Sequence, residues 1–260
     1  MDYQKLLYEI RDDVALIRLN DRATLNAMSI DMGIELADAL ARGAREAGAI
    51  ILGSTGRSFC SGAFLGQGRF DLDDTERDVG DRMESLFNPL ILAIRDLDVP
   101  IVTAVKGAAA GIGCSLALMG DIIVASEDAF FLQAFRNIGL VPDSGSAYIL
   151  AKAIGRVRAM EMMLLGEKLP AQRGYEWGLV TRLVPNETLE EDAFALAETL
   201  ARGPFSQRHI RTMAWAALDG GLPEQLARER TIQRDVGRSD DFAEGVRAFR
   251  EKRPPRFRRR

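Results

Sequence analysis

Residues 104–126, AVKGAAAGIGCSLALMGDIIVAS, read as strand, turn, helix and strand in quick succession, and the fold class follows from that order. Small residues lead into a helix candidate from about Ile112 to Met119, and DIIVA supplies the next buried strand. The first amides of such a helix are unpaired and lie at the positive end of its dipole, so an oxyanion is welcome there. A second junction of this kind lies upstream. After the buried run AIIL, from Ala49 to Leu52, comes Phe59-Cys60-Ser61-Gly62-Ala63-Phe64-Leu65, where Gly62 lets a ligand approach the main chain closely. Small residues before a helix also serve packing alone, so neither junction marks a site by itself.

Outward from these junctions, residues 6 to 10 and 13 to 19 alternate as a half-buried hairpin. Ser29 is placed to cap a helix whose apolar positions are Ile30, Gly33, Ile34, Ala37, Leu40, Ala41 and Ala44, and Gly48 stops it. The glycine-rich polar stretch from Gly53 to about Gly80 has no period and reads as a long loop feeding a helix from about Arg82 to Arg95. A short strand around Phe130 and Phe131 and a helix beginning near Asp143 follow. From about Leu189 onward the pattern is helical, with breaks at Gly203-Pro204, Gly220-Gly221 and Gly237. The expected organisation is an α/β core over residues 1–200 and a helical C-terminal region over residues 201–260.

Composition narrows the function classes. A chain of 260 residues with no apolar run of about eighteen residues, and an N-terminus MDYQKLLYEIRDD unlike a signal peptide, is expected in the cytoplasm and not in a membrane. Cys60, Cys114 and the single histidine, His209, leave few soft ligands, so no metal is expected. The stretch Arg250 to Arg260 carries seven basic residues against one acid, a local +6, so the rest of the chain sums to −10. That tail is either solvated or a phosphate contact. The acidic remainder argues against nucleic-acid binding, which needs a continuous basic stripe.

Taken together and in order, six pieces resemble the crotonase superfamily of enoyl-CoA hydratases and isomerases: Leu25-Asn26-Ala27-Met28, SFCSGAFL, AVKGAAAGIGCSLALMGDIIVAS, IGLVPDSG, LPAQRGYEWGLVTRLV and AFREKRPPRF. The resemblance covers nearly the whole chain. It implies an α/β fold, a crotonase-like β-spiral of ββα repeats, with a helical C-terminal region that trimerises, and trimers stacking into a hexamer. It also implies an acyl-CoA substrate whose thioester oxygen is held by the peptide N–H groups of Ala63 and Ile112, each such donor being worth on the order of 10² to 10³ in rate. Gly62 and Gly111 are the glycines preceding those donors. By the same resemblance CoA would lie against Thr24, Leu25, Ala63 and Leu65, with Lys252 reaching in from a neighbouring subunit. No cofactor is implied beyond the coenzyme A of the substrate.

The departures from that pattern are informative. Hydratases of this family keep one glutamate just after the Gly-Cys of the second motif and another some twenty residues on, and here those places hold Ser115 and Phe135. Neither is a general base, and hydration divides its proton transfers between two carboxylates, so negligible hydratase activity is expected. Asp143 stands where Δ3,Δ2-enoyl-CoA isomerases and the ring-epoxide or oxepin isomerases of phenylacetate degradation keep their acid. One carboxylate suffices to move a proton along an acyl chain while the donors hold the dienolate. The plain alternative is that Asp143, following Pro142 at a helix start, is a cap. Other activities on the same scaffold are a thioesterase or lyase in which the carboxylate attacks or activates water, and a CoA-binding oligomer without catalysis.

Cys60 and Cys114 read as buried, inert thiols. The acids Asp71, Asp73, Asp74, Glu76, Asp78 and Asp81 lack the spacing of a calcium loop and read as a solvated loop. Phe64 replaces the aspartate usual in this family. The acyl pocket is expected to take its walls from residues 64 to 90 and from side chains near Phe131 and Phe135, whose rings suit a bulky or ring-bearing acyl group.

Overall fold

The structure, a computed structural model, describes residues 2–66 and 71–258. Residues 67–70 of the expected pocket loop, and Arg259 and Arg260 of the basic tail, lie outside the described residues. The chain opens with a hairpin of β1 (Leu6–Arg11) and β2 (Val14–Leu19), Leu6 facing Leu19 and Arg11 facing Val14. Asp12 and Asp13 both take positive φ at its two-residue turn, a conformation that aspartate tolerates and that matches the twist of paired strands. Then come α1 (Ile30–Glu46), β3 (Ala49–Ser54), a π turn over Met83–Phe87 running into α2 (Asn88–Arg95), β4 (Ile101–Val105), β5 (Ala108–Ala110), α3 (Ile112–Leu118), β6 (Ile122–Ser126) and β7 (Phe130–Leu132). A 3-10 turn over Ala134–Ile138, α4 (Ser146–Ile154), α5 (Arg156–Leu165), β8 (Leu169–Pro170), α6 (Ala171–Glu176), β9 (Arg182–Val184), α7 (Leu189–Ala201), α8 (Ser206–Ala217), α9 (Leu222–Val236) and α10 (Asp240–Glu251) complete the order.

One six-stranded sheet runs β1-β2-β3-β4-β6-β9, parallel after the first pair. A smaller sheet, β5-β7-β8, lies beyond it and is extended by single parallel bridges, Cys60 to Ala109 and Met28 to Ala63. Each turn of chain therefore leaves one strand in the large sheet and one short extended piece in the second layer before a helix returns. β4 leads to β5 and α3, and β6 leads to β7 and α4. This is the spiral of ββα repeats expected from the sequence.

Two sequence readings are corrected here. β2 is buried along its length rather than half-buried, because α1 covers one face while Leu189, Ala193, Ala197 and Ala201 of α7 pack on Val14, Ala49, Ile51, Val102 and Val124. Its polar Arg18 sits at the end of the strand. The buried stripe of α1 is Met32, Gly33, Leu36, Ala39, Leu40 and Gly43, whereas Ile34 is 47% exposed and Ala41 also faces solvent. Gly43 turns the helix: a Cβ there would lie 3.0 Å from that of Ala15. The cap itself is as expected, the Ser29 hydroxyl accepting from the Met32 N–H at 3.2 Å.

The C-terminal helices are fastened rather than merely apposed. Arg211 of α8 is buried and donates to the Asp121 carboxylate at 2.6 Å and to the carbonyls of Ile94, Arg95 and Leu97 at 3.0, 3.0 and 2.6 Å. Past the far end of α8, Asp219 accepts from the Tyr148 hydroxyl at 2.8 Å and from Lys152 at 3.3 Å. The basic tail folds back on α10, with Arg253 on Glu244 and Glu251, and the amide of Arg258 donating to Asp241. Among the described residues no helix is long and apolar enough to cross a membrane.

Candidate active site

The first wall is built from Leu25-Asn26-Ala27-Met28. Leu25 and Asn26 both take left-handed φ, 57° and 58°, which reverses the chain and turns the Asn26 side chain inward. Buried there, Asn26 accepts from the Asp21 N–H at 2.7 Å and donates to the carbonyls of Thr55 and Ser58 at 3.0 and 2.8 Å. Its neighbours then bind the second segment directly. The carbonyls of Thr24 and Leu25 accept from the Ser61 hydroxyl and amide, at 3.0 and 3.1 Å. Asn26→Ala strands one donor and two acceptors away from water, so a loss of about 2–4 kcal/mol in urea unfolding is expected. A loss under about 1 kcal/mol would show that the turn holds without it.

The second segment is turned by Gly62. Cys60 bonds to β5 through both its N–H and its carbonyl, at 2.9 Å each, and regular alternation would send the Gly62 carbonyl the same way. Gly62 takes φ +112° instead, and its carbonyl accepts from the Met28 N–H at 2.7 Å. Phe64 then donates to the Met28 carbonyl at 3.0 Å, leaving the Ala63 N–H directed away from Met28 and without a backbone acceptor among the described residues.

The third segment is turned by Gly111, at φ 53° and ψ −125°, a conformation essentially reserved for glycine. Its own amide donates to Leu132 at 2.9 Å, and its carbonyl accepts from Cys114 and Ser115, so the Ile112 N–H opens α3 unpaired. A Cβ on Gly111 would lie 3.7 Å from the Gly62 Cα, and one on Gly113 would lie 2.5 Å from the Cys60 carbonyl. Glycines thus bring the two junctions into contact. Phe135, 7% exposed, closes one side, its ring edge 3.8 Å from the same Gly111 position.

Asp143 lies against the same helix end. Ser115, one turn along α3 from Ile112, reaches the Asp143 carbonyl through its hydroxyl at 3.4 Å. The helix expected near Asp143 begins three residues later, at Ser146, because Ser144 and Gly145 both take left-handed φ and break it. The Asp143 carboxyl does not cap α4; one carboxyl oxygen is buried with no hydrogen-bond partner. Burial pushes this carboxyl above its ordinary value, opposed to a lesser degree by the nearby Ser144 hydroxyl.

The Asp143 loop also borders a cavity of about 680 Å³ that no sequence signal announced. Its apolar lining comes from Ile91 and Leu92 of α2, Met119, Ile149 of α4 and Trp215 of α8, with Gly145 at the edge. Those positions lie on four separated segments, so only the packing of α8 reveals them. Phe131, expected as a pocket wall, is instead fully buried in the core beside Gly174, since its strand β7 presents it inward. Phe64 and Leu65 are 39% and 54% exposed beside the open Ala63 amide. Lys252 ends α10 at φ 55°, is exposed, and its amide bonds back to Phe249.

Burial raises the Cys60 thiol to about 11 and the Cys114 thiol to about 12, so neither is a thiolate at neutral pH. Asp71, Asp74 and Asp78 each accept from an amide two residues on, at 2.7 to 3.0 Å, which makes them turn formers in their own loop.

The enoyl-CoA hydratase/isomerase family model matches residues 9–260. A Rhodobacter capsulatus protein named "Probable enoyl-CoA hydratase" is 42% identical over 258 residues, 99% of each chain. The 1,2-epoxyphenylacetyl-CoA isomerase of Escherichia coli K12 is 38% identical over 255 residues, 97% of each chain. The crystal structure of an enoyl-CoA hydratase from Bacillus anthracis superposes with a TM-score of 0.90 at 26% identity, covering 99% of this chain and 100% of that one. With the spiral, the two glycine-turned junctions and this match from end to end, the chain belongs to the enoyl-CoA hydratase/isomerase family of the crotonase superfamily.

Proposed function

We propose that the protein is an acyl-CoA isomerase that moves a proton along the acyl group through an enolate held by the amides of Ala63 and Ile112, with Asp143 as the base. The observation that carries this reading is Asp143, which has one carboxyl oxygen buried without a hydrogen-bond partner and its carbonyl 3.4 Å from the Ser115 hydroxyl in the first turn of α3, in a chain with Ser115 and Phe135 where hydratases of the family keep glutamates. In this reading the thioester oxygen accepts from both amides. Asp143 removes a proton from the carbon next to the carbonyl, and the electron pair delocalises into the dienolate. The same carboxyl then returns the proton two carbons further along, so one acid serves both steps. The cavity beyond Gly145 joins apolar walls from Ile91, Ile149 and Trp215 to the charged Arg95, Asp96, Asp219 and Arg228, and none of Ala63, Ile112 and Asp143 lines it. The likeness to the Escherichia coli isomerase supports a ring-bearing substrate.

CoA would run along Thr24, Leu25 and Leu65, with Lys252 supplied by a neighbouring subunit of a trimer or hexamer, in the cytoplasm. No cofactor or metal is required. The test is a 3-enoyl-CoA followed by the absorbance of the conjugated 2-enoyl thioester, run beside a thiol probe for free CoA. Conjugation without thiol release supports the isomerase. Thiol release alone assigns a thioesterase, and CoA binding with neither signal assigns a non-catalytic binder.

A further inference from the structure

The stretch carrying Asp143 is fastened chiefly by its main chain, while one oxygen of its carboxyl has no partner and the Ser144 hydroxyl lies near the group. Three donors converge on the Asp143 carbonyl: the Ser146 amide at 3.0 Å, the Ser146 hydroxyl at 2.9 Å and the Ser115 hydroxyl at 3.4 Å. The Ser146 hydroxyl is also 3.1 Å from the side-chain oxygen of Gln133, and its single proton is shared between that oxygen and the Asp143 carbonyl. Ser115, Gln133 and Ser146 are all fully buried, and they come from α3, the end of β7 and the start of α4. Polar side chains are costly in a core, so three of them converging on one strained turn, with Ser144 at φ 51°, calls for a reason beyond packing.

The chemistry supplies one. A hydrogen bond given to the carboxylate would stabilise its charged form and weaken it as a base, whereas a bond given to the carbonyl of the same residue fixes its place at no such cost. We infer that Ser146 and Ser115 are positioning residues for Asp143: they hold its peptide against α3 so that its carboxyl faces the gap between Ala63 and Ile112. This rests on the reading of Asp143 as the base.

The experiment measures kcat, KM and the pH profile of isomerisation for Ser146→Ala, Ser115→Ala and Asp143→Asn. With the Ser146 hydroxyl removed and its amide left on the carbonyl, the Asp143 peptide is held less firmly and its carboxyl reaches water more often. Ser146→Ala should then lower kcat about tenfold, leave KM within about twofold, and move the acidic inflection of kcat/KM down towards that of an exposed carboxyl. Ser115→Ala, which removes the longest of the three bonds, should act in the same direction and less, and it carries the test if Ser146→Ala does not fold. An unmoved inflection in the folded variants, whatever happens to kcat, overturns the positioning role. Full activity in Asp143→Asn would instead remove the base itself, so the two failures are told apart.

Discussion

Asp143→Asn is expected to lower isomerisation of a 3-enoyl-CoA by about 10²- to 10⁴-fold in kcat with little change in KM, the range typical of a general base that touches the reacting carbon. In the unaltered enzyme the base must be ionised, so kcat/KM should fall as pH drops through the Asp143 pKa, at an inflection above the ordinary 3.8 because burial disfavours the charge. The sign of the stability effect separates this role from that of a helix cap. A carboxyl raised by folding contributes stability only while protonated, and that contribution is lost as pH rises through its folded pKa. At neutral pH the ionised group is therefore a burden on the fold, and Asp143→Asn should melt slightly higher than the parent. Were Asp143 a cap, the variant would melt unchanged or slightly lower, because asparagine caps as well as aspartate and only the attraction of the charge to the helix dipole is lost. An inactive variant with a raised melting temperature supports the base, while an active one leaves only the thioester-binding fold.

How much of this was legible in the sequence depends on the range of the interaction involved. Gly62 and Gly111 could be read as close-approach points because a glycine beside a chemistry-bearing turn is a local signal, and their φ values of 112° and 53° give the reason those residues are needed. Ser29 was legible for the same reason, its hydroxyl reaching only three residues on. The buried face of α1 was not, since several faces of that helix are apolar and only the contact of Gly43 with Ala15 selects one. Asp143 was found through its position in a motif, and the alternative that the sequence left open, a Pro-Asp cap at a helix start, is removed by the left-handed Ser144 and Gly145, which postpone the helix beyond its reach. The cavity was invisible because Ile91, Met119, Ile149 and Trp215 share no period and no neighbourhood in the chain.

Arg211 shows the same limit in its strongest form, and it carries the largest stability effect expected here. In the sequence it is one more basic residue on an amphipathic helix, whereas in the fold its guanidinium bonds Asp121 and three carbonyls at and just past the end of α2. Those carbonyls include orphan acceptors left by the helix terminus, so the arginine serves as their cap from another element. Arg211→Met keeps most of the volume and removes every donor, leaving a partly exposed carboxylate without its cation at the edge of the core. Loss of one partner of such a pair costs about 3–5 kcal/mol, against the smaller net worth of the pair itself. Burial already holds the Asp121 carboxyl above its ordinary value despite the attraction of Arg211, and removing that attraction raises it further. A group raised in this way favours folding below its pKa and disfavours it above, so the variant should lose more stability at pH 8 than at a pH below the Asp121 pKa in urea unfolding. Adding Asp121→Asn should restore part of the loss at the higher pH, because the amide carries no charge to desolvate. A deficit below about 1 kcal/mol, or one equal at both pH values, would mean that α8 is held by its apolar contacts and that the guanidinium is dispensable.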